Sequence, residues 1–336
     1  MKSPITGKEM KRMVKEDVLV FRKEEFPIVS HYYQCEGSGE EFTDGALDNL
    51  NVIQAYNQYR NRYNLPFPDE IRQIREQYEV SAAKMAEILG FGINVYRQYE
   101  SGEVPSLSNA RLIQLIKDPS EFKKLLLASN VLSGNMLGKT MKRVEDLVAS
   151  QSDPGVVWLP QYLMTGFKNG RASIFTGYRT PGLSRLLEMI VYFTKECRPW
   201  KTKLNKLLFY ADFGHYKKNG FSISGAEYIA LQMGPVPLNF SSIFEYAEMH
   251  DDIDIIYQEF QNGGIGESFK PHPNRDFDAS LFEETELQTM KEIADRFRDM
   301  STADVISLSH EEAAWVDNFN EKKKISYDYA FKLLNG

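Results

Sequence analysis

The stretch SAAKMAEILGFGINVYRQYESG, which begins at residue 81, constrains the fold of this chain more than any other. Ser81 stands where a helix N-cap belongs. One apolar helix face follows at helical spacing, formed by Met85, Ala86 and Leu89. Gly90 can then leave the helix with a positive φ. This spacing predicts a short helix, a glycine turn and the start of a second short helix.

The second short helix would have a buried and an exposed face. Its buried face is predicted to contain Val95, Tyr96 and Tyr99. Its exposed residues are predicted to be Asn94, Arg97 and Gln98. Side chains of these three types read base edges in the major groove of DNA. The pattern resembles the phage-repressor-like helix-turn-helix family. This resemblance implies DNA-binding roles for Ser81, Lys84, Asn94, Arg97 and Gln98.

Flanking helices would complete a small all-α module over residues 67–127. The preceding helix would be anchored by Ile71 and Ile74. The following helix would cover residues 108–116 and bury three apolar side chains, Leu112, Leu115 and Ile116. The same core would also fold as a purely structural bundle, so a bundle without DNA binding remains an alternative.

Charge limits how such a module could hold DNA. Ala82 occupies the position where repressors of this family usually carry a glutamine that contacts phosphate. Acidic residues slightly outnumber basic ones between Asp69 and Lys124, and the whole chain has a formal net charge of −7. Phosphate attraction must therefore come from a local face of the module. We expect a homodimer to be needed for useful affinity.

Length and composition predict several domains in a chain of 336 residues. No run of about 18 apolar residues and no apolar signal-peptide core occurs, so we expect a cytoplasmic protein without a membrane segment. Cys35 and Cys197 are the two cysteines and lie far apart in sequence. A disulfide framework is therefore excluded, and reduced thiols are expected.

Residues 1–44 predict a small β domain that a linker helix follows. β-Branched and aromatic residues are enriched at 13–15, 18–21 and 28–33, which predicts short strands. Residues 45–66 have apolar residues at helical spacing and end at two prolines, which predicts the linker helix. An unrelated β-hairpin element is the alternative for the first segment.

Two short motifs frame this β domain, Ser3-x-x-Thr6 near its start and Cys35-x-x-Ser38 near its end. They are similar in placement to the two Cys-x-x-Cys pairs of the zinc ribbon in antitoxins of the MqsA type. A tetrahedral zinc site needs four good ligands, and hydroxyl groups are poor ones. The resemblance therefore implies a ribbon without its metal, held by strand pairing and by burial of Phe21, Phe26, Tyr33 and Phe42.

Composition changes after the helical module. We place the main domain boundary within residues 128–180, a linker region with one amphipathic helix at 136–149. Segments 156–159 and 162–167 are apolar enough to be packed. From residue 183 the apolar spacing becomes helical again.

The C-terminal sequence carries several motifs in a fixed order. They are the run from Lys203 to Asp212, the tetrapeptide Gly234-Pro235-Val236-Pro237 and the run from Ile306 to Trp315. These motifs resemble the Panacea domain family, also called SocA-like. The resemblance implies a largely helical domain over residues 181–336 that neutralises a toxin. Members of this family serve as antitoxins, some are fused to a helix-turn-helix, and at least one is a proteolytic adaptor.

The tetrapeptide with two prolines predicts a stiff turn that loses little entropy when a partner docks on it. A purely structural turn is an equal alternative. Aromatic side chains with polar tips flank the same region, and such residues are favoured in interface cores, although they are also common in domain cores. We predict partner-binding roles for Tyr210, His215, Gly234, Pro235, Val236 and Pro237.

No motif indicates catalysis, a metal site or a cofactor. The five histidines lack metal-ligand spacing. Arg198 follows Cys197 and would lower the pKa of its thiol, but no base partner can be named from the sequence.

The sequence thus predicts a mainly α protein of the α+β class, with a small β-ribbon, a repressor-like helix-turn-helix bundle and a largely helical C-terminal domain. The predicted function is that of an antitoxin that binds and neutralises a cognate toxin and represses its own operon at operator DNA. One alternative is a transcription regulator whose C-terminal domain senses a ligand or dimerises. Another is a proteolytic adaptor. A small toxin-like neighbouring gene would favour the first function.

Overall fold

The computed structural model describes residues 1–150, 162–164, 170–260 and 264–335. The chain divides into two units, Met1–Val156 and Val157–Gly336. Helices predominate, and the described strands form small antiparallel sheets. The predicted class, mainly α within α+β, is confirmed.

A three-stranded antiparallel sheet begins the first unit, in the order β1-β2-β3. Its strands are β1 (Lys11–Phe21), β2 (Glu24–Gln34) and β3 (Glu41–Phe42). Arg22 and Lys23 join the first two strands with φ values of 50° and 69°, as a two-residue hairpin turn with two left-handed residues requires. The prediction of two short strands before this turn is wrong, because Glu16 and Asp17 pair with β2 like their neighbours.

Helix α1 (Gly45–Tyr63) supplies side-chain amides to the edge of β2. Gln54 accepts from the N–H of Val29 and donates to its carbonyl, both at 2.9 Å. Asn51 does the same for His31, at 2.8 and 3.0 Å. These amides take the place of a neighbouring strand, so the backbone groups of Val29 and His31 are satisfied there.

The ribbon and the helices share an apolar core. Phe26 is fully buried and belongs to one cluster with Tyr59 of α1 and with Val104 and Ala110 of the helical bundle. The other aromatic side chains predicted to hold the ribbon are half-buried, namely Phe21, Tyr33 and Phe42. The ribbon therefore depends on the bundle for part of its hydrophobic stabilisation.

Two arginines add polar ties between the same elements. Arg60 is fully buried and donates to the carbonyl of Gly102 and, at 2.9 Å, to the Oδ1 of Asn57. Arg22 donates to the carbonyl of Val104 at 2.7 Å. Ribbon, linker helix and bundle are consequently held together by both packing and hydrogen bonds.

The bundle contains the helices α2 (Pro68–Glu76), α3 (Ala82–Ile88), α4 (Val95–Glu100), α5 (Leu107–Leu115), α6 (Pro119–Ser129) and α7 (Gly134–Ser150). Ile71 and Ile74 anchor α2 in the core, as the sequence predicted. The amphipathic helix predicted at 136–149 is α7, and its Val144 is fully buried in the same apolar cluster.

One predicted core position in α5 is wrong. Leu115 is 47% exposed, whereas Ile113 and Ile116 are fully buried. The buried stripe follows Ala110, Ile113 and Ile116, which are spaced three residues apart on one helix face. Leu115 lies off this stripe. The apolar spacing in the sequence is compatible with burial of either Ile113 or Leu115.

The second unit is built around helices with two small hairpins. Its helices are α8 (Leu183–Cys197), α9 (Lys201–Asn219), α10 (Phe240–Met249), α11 (Glu284–Phe297), α12 (Thr302–Glu311) and α13 (Ala313–Val316). Its strands are β4 (Tyr228–Leu231), β5 (Gly234–Pro237), β6 (Ile253–Glu259) and β7 (Ile265–Pro271). Short 3-10 helices occur at Ile174–Thr176, Ala279–Leu281 and Tyr327–Lys332.

Helix α9 is the centre of this unit and is buried on all sides from residue 203 to residue 216. Asp212 lies within it, fully buried, and accepts from the N–H groups of Ile223 and Ser224 and from the hydroxyl of Tyr228, each at 2.8 Å. Burial raises the pKa of this carboxyl, while the hydrogen bonds oppose the rise. Asp212 thus fixes the chain segment between α9 and β4.

Some predicted segments lie outside the described residues. These are the apolar segment at 156–159 and residues 165–167 of the next one. Within 162–164, Leu163 and Met164 are buried, and Asn239 donates to the carbonyl of Leu163 at 3.2 Å. Among the described helices, none combines the length and the apolar character that a membrane crossing requires.

Candidate DNA-binding and partner-binding sites

Helix α3 starts at the predicted N-cap. The Oγ of Ser81 accepts from the N–H of Lys84 at 3.3 Å, and Gly90 ends the segment with a φ of 71°. Ser81 is exposed. Lys84 is half-buried, and its Nζ lies 2.8 Å from a carboxylate oxygen of Glu87. Lys84 therefore shares its positive charge with a neighbour on the same helix.

Helix α4 is fixed in place by two tyrosines on its inner face. The hydroxyl of Tyr96 donates to the carbonyl of Ile71 at 2.8 Å. The hydroxyl of Tyr99 accepts from the side-chain amide of Asn109 at 2.9 Å. Burial raises the pKa of Tyr96, so its hydroxyl stays protonated as a donor. The prediction that both rings face inward is confirmed.

The outer side of α4 carries the polar residues that the sequence pattern assigned to it. Asn94, Arg97 and Gln98 are all exposed. Ile93, one residue before the helix N-cap, is 61% exposed and was not predicted as a site residue. An exposed apolar side chain beside base-reading residues can contact a thymine methyl group. We call these four residues the recognition face.

The charge of the recognition face comes from Arg97. Arg75 of the same bundle is held by other partners, since its Nε lies 2.6 Å from Glu100 and its Nη1 donates to the carbonyl of Val80. Within the described part of the chain, Arg97 makes no ion pair. Its guanidinium is therefore available for a base edge or a phosphate.

The two framing motifs of the ribbon come together in space. The Oγ of Ser3 donates to the Sγ of Cys35 at 3.0 Å, and the Oγ1 of Thr6 lies 3.5 Å from the same sulfur. Hydrogen bonds from Ser3, Ser38 and Thr6 lower the pKa of the Cys35 thiol to about 6. We call these four residues the hydroxyl–thiol cluster.

The hydroxyl–thiol cluster does not fit a zinc ion. Zinc in proteins is held by sulfur, imidazole nitrogen or carboxylate oxygen, and this cluster offers one such group, the Cys35 thiol. His31 is buried, and its Nδ1 lies 3.3 Å from the guanidinium of Arg12. Across the described ranges, no group of three His, Cys, Asp or Glu residues could hold a metal ion. Hydrogen bonds occupy the place of metal coordination.

In the second unit, Tyr210 is fully buried near the C-terminal end of the chain. Its hydroxyl donates to the Oε1 of Glu312 at 3.3 Å, and its ring stacks on Phe297 with centroids 4.8 Å apart. The Glu312 carboxylate also accepts from the N–H groups of Leu334 and Asn335, at 2.9 and 3.0 Å. Tyr210 and Glu312 thus hold the last residues of the chain against α9.

His215 is buried further along α9. Its Nδ1 donates to the carbonyl of Phe221 at 2.7 Å, and its Nε2 accepts from the hydroxyl of Thr285 at 3.2 Å. Burial lowers the pKa of this imidazole to about 4. The ring is therefore neutral near pH 7 and links α9 to α11.

The Gly-Pro-Val-Pro tetrapeptide forms strand β5, and all four of its residues are buried. The prediction of a turn is wrong, because the turn lies just before it, at Gln232 and Met233. Gly234 has a φ of 100°, and a Cβ there would lie 2.5 Å from both the Cε of Lys206 and the Oγ of Ser309. This position therefore requires glycine.

Lys206 lies under β5 and is fully buried. Its Nζ donates to the carbonyl of Pro235 at 2.8 Å. Burial lowers the pKa of its ammonium group from 10.5 to about 7. Sequence reasoning missed this residue, since a lysine within a mixed polar run gives no sign of burial.

Comparison with protein families gave a match in each of two separate regions of the chain. Residues 1–126 match the family described as the antitoxin component of a bacterial toxin–antitoxin system, MqsA. Residues 204–316 match the family described as antitoxin SocA-like, Panacea domain. Both of the matched family models describe antitoxins. A comparison with curated proteins gave no match.

The family matches fit the two resemblances that the sequence motifs carried. The MqsA-like region contains the ribbon, the linker helix and most of the helical bundle. The Panacea region contains most of α9, β5 and the residues that pack on them. Both regions point to an antitoxin with a toxin as its partner.

The predicted partner-binding residues of the Panacea region form part of its interior. Tyr210, His215 and the four residues of β5 are buried. The neighbouring surface is the turn before β5, where Met233 is 48% exposed, together with Val316, which is 53% exposed. Partner contact by the six predicted residues stays a prediction, and within the chain they shape the support beneath this turn.

Cys197 differs from the sequence expectation. Burial raises the pKa of its thiol to about 11, a rise that the nearby Lys203 and Arg298 only partly oppose. The thiol is therefore protonated near pH 7 and is a poor nucleophile.

Proposed function

We propose that this protein is a cytoplasmic antitoxin that binds and neutralises a cognate toxin and represses its own operon as a homodimer. The observation that carries the DNA-binding part is the recognition face, whose polar side chains point outward from a helix locked by Tyr96 and Tyr99. A rigid helix with exposed Asn, Arg and Gln suits direct reading of base edges. Ser81 and Lys84 would contact the DNA backbone beside it.

The toxin would be captured by the Panacea region through protein–protein contact. Support comes from the family match and from the stiff framework that β5 and α9 give to the turn at Gln232 and Met233. A surface fixed before binding loses little conformational entropy when a partner docks. Tyr210, His215 and residues 234–237 would then act at or directly beneath the contact. Neutralisation would be stoichiometric occlusion of the toxin.

The DNA-binding part is tested by measuring affinity for the promoter region of the gene itself. Arg97→Ala and Gln98→Ala should each lose about 1–3 kcal/mol of specific binding, since a bidentate base contact is worth about that much. Lys142→Ala is the control, because Lys142 is an exposed cation on α7, outside the recognition face. Unchanged affinity for the promoter DNA in both recognition-face variants would contradict the proposal that this face reads DNA.

The toxin-binding part is tested by co-expression with the product of the neighbouring gene. Growth should be restored, and the two proteins should co-purify. Met233→Asp should weaken this complex, because it places a charge on the exposed turn without touching the core. A chain that restores growth without forming a complex would contradict occlusion.

A further inference from the structure

Strand β1 is an open edge of the N-terminal sheet. It lies at the end of the order β1-β2-β3 and has 11 residues, nearly all of them exposed. Val14, Val18 and Val20 are 49%, 52% and 64% exposed. Long, exposed edge strands with apolar side chains are templates for pairing with another strand.

The register identifies which backbone groups of β1 face outward. In an antiparallel ladder, residues alternate between those that bond to the neighbouring strand and those that point away from it. Val29 and His31 of β2 bond to the amides of α1, so they point away from β1. Their register partners, Glu16 and Val14, must then point to the opposite edge. By the same alternation, the outward set on β1 is Arg12, Val14, Glu16, Val18 and Val20.

The backbone groups that point away from the β1–β2 ladder have partners on β2 and mostly lack them on the described β1. Side-chain amides cover β2 from Val29 to His31, and Gln58 donates to the carbonyl of Pro27 at 2.7 Å. On β1, the N–H of Val18 donates to the carboxylate of Asp17 at 2.8 Å. Within the described residues, the other outward backbone groups of β1 have no partner. The outer edge of β1 therefore offers a row of donors and acceptors.

We propose that this edge pairs with the same edge of a second copy of the chain, antiparallel about a two-fold axis at Glu16. Val14 would then lie opposite Val18 of the second copy, and Arg12 opposite Val20. All five outward residues find a hydrogen-bonding position in this register, because Glu16 is the middle one. Isologous pairing of this kind is the usual form of a two-fold dimer.

Side-chain chemistry favours this register over the two neighbouring ones. Lys15 lies opposite Asp17 of the second copy, and Met13 lies opposite Leu19, so these positions form one pair of opposite charges and one apolar pair on each side of the axis. A shift of the pairing by two residues in either direction places Lys15 opposite Lys15, or Asp17 opposite Asp17. The two-fold pair at Glu16 is the one like-charge contact in the chosen register.

Pairing through β1 would supply the dimer that operator binding needs. The biological role of this pairing therefore rests on the proposed function. Ribbon and bundle share a core, so a dimer made at β1 would carry two recognition faces. The interface itself can be tested without DNA or toxin.

The decisive experiment is disulfide cross-linking of the full chain under mild oxidation. Glu16→Cys places two thiols at the proposed axis, where paired Cα atoms are about 5.5 Å apart, within disulfide range. Val20→Cys is the matched control, because its two copies would be separated by about 26 Å, four residues on each side of the axis. Cys35 is buried and is common to both variants.

We expect the Glu16→Cys chain to form a covalent dimer at least about tenfold faster than the Val20→Cys chain, because pairing raises the local thiol concentration. Equal rates, or faster cross-linking of the Val20→Cys chain, would overturn the proposed register. Loss of DNA binding in another experiment would leave this result unaffected, so the two proposals fail separately.

A charge exchange gives a second, independent readout by sedimentation. Lys15→Asp and Asp17→Lys should each weaken the dimer, and the double variant should restore it, because opposite charges then face each other again. Lys15 also contacts Glu41 at 2.6 Å within its own chain, and the double variant does not restore that contact. Recovery therefore reports the pair between copies. A double variant no more dimeric than the two single variants would contradict the proposal.

Discussion

Lys206 allows a quantitative test of the Panacea region, because its amine is buried with one carbonyl partner. The fall of its pKa from 10.5 to about 7 corresponds to a cost of about 4–5 kcal/mol, since one pKa unit is worth about 1.4 kcal/mol. Lys206→Met removes this cost but leaves the carbonyl of Pro235 without its donor, which costs about 1–3 kcal/mol. We expect the variant to raise the free energy of unfolding by about 2 kcal/mol near neutral pH.

The pH dependence follows from the direction of the shift. Below about pH 7, Lys206 is protonated in both the folded and the unfolded chain. Between about 7 and 10.5, the unfolded chain still holds a proton that the folded chain has lost, so stability rises with pH in this window. The gain between about pH 7.5 and about pH 9.5 should be about 2–3 kcal/mol for the parent and close to zero, from this group, for Lys206→Met.

The assay is urea denaturation followed by tryptophan fluorescence. Trp200 and Trp315 lie in the second unit, and the sequence of the first unit contains no tryptophan, so the signal follows the unit that contains Lys206. Lys270→Met is the control, because this lysine is exposed on β7. The same rise of stability with pH in parent and Lys206→Met would refute the argument, and so would a variant that is less stable than the parent near pH 7.5.

Two further predictions concern the hydroxyl–thiol cluster and strand β5. The triple variant in which cysteine replaces Ser3, Thr6 and Ser38 should bind one zinc ion per chain, as measured by metal analysis after dialysis. Zinc should then raise the melting temperature of this variant. A triple variant without bound zinc would mean that the four positions cannot surround a tetrahedral metal ion. Gly234→Ala should lower the stability of the second unit by about 2–4 kcal/mol through steric overlap at a positive φ, whereas Gly214→Ala on α9, where a Cβ would meet ordinary contacts, should be tolerated. Equal stability of the two alanine variants would contradict the close approach at β5.

Features set by local physics could be predicted from the sequence. The N-cap at Ser81 and the left-handed Gly90 depend on their own residue types and a few neighbours, and both are confirmed. The inward rings of Tyr96 and Tyr99 follow from helical spacing alone. The outward direction of Arg97 follows from the same spacing, so the residue pattern was enough to predict the polar part of the recognition face.

Features decided by tertiary contacts could not be predicted in the same way. Leu115 and Ile113 are both apolar, and only the position of the neighbouring helices decides which one is buried. The two prolines of β5 suggested a turn. Pro235 and Pro237 instead pair with β4 in a short two-stranded ladder. Such a ladder requires few of the backbone N–H groups that proline lacks. The burial of Lys206 is a consequence of that strand and leaves no pattern in the sequence.

The loss of zinc ligands changes what the stability of the ribbon depends on. In a metal ribbon, binding free energy is folding free energy, so a small β domain can fold by itself. Here the hydroxyl–thiol cluster closes the loop with hydrogen bonds, and the ribbon instead buries Phe26 against Tyr59 and Val104 and is tied down by Arg22 and Arg60. Its stability is thereby coupled to that of the helix-turn-helix bundle. A change that unfolds the bundle should also release β1, so the edge proposed to join two copies and the face proposed to read DNA would be lost together.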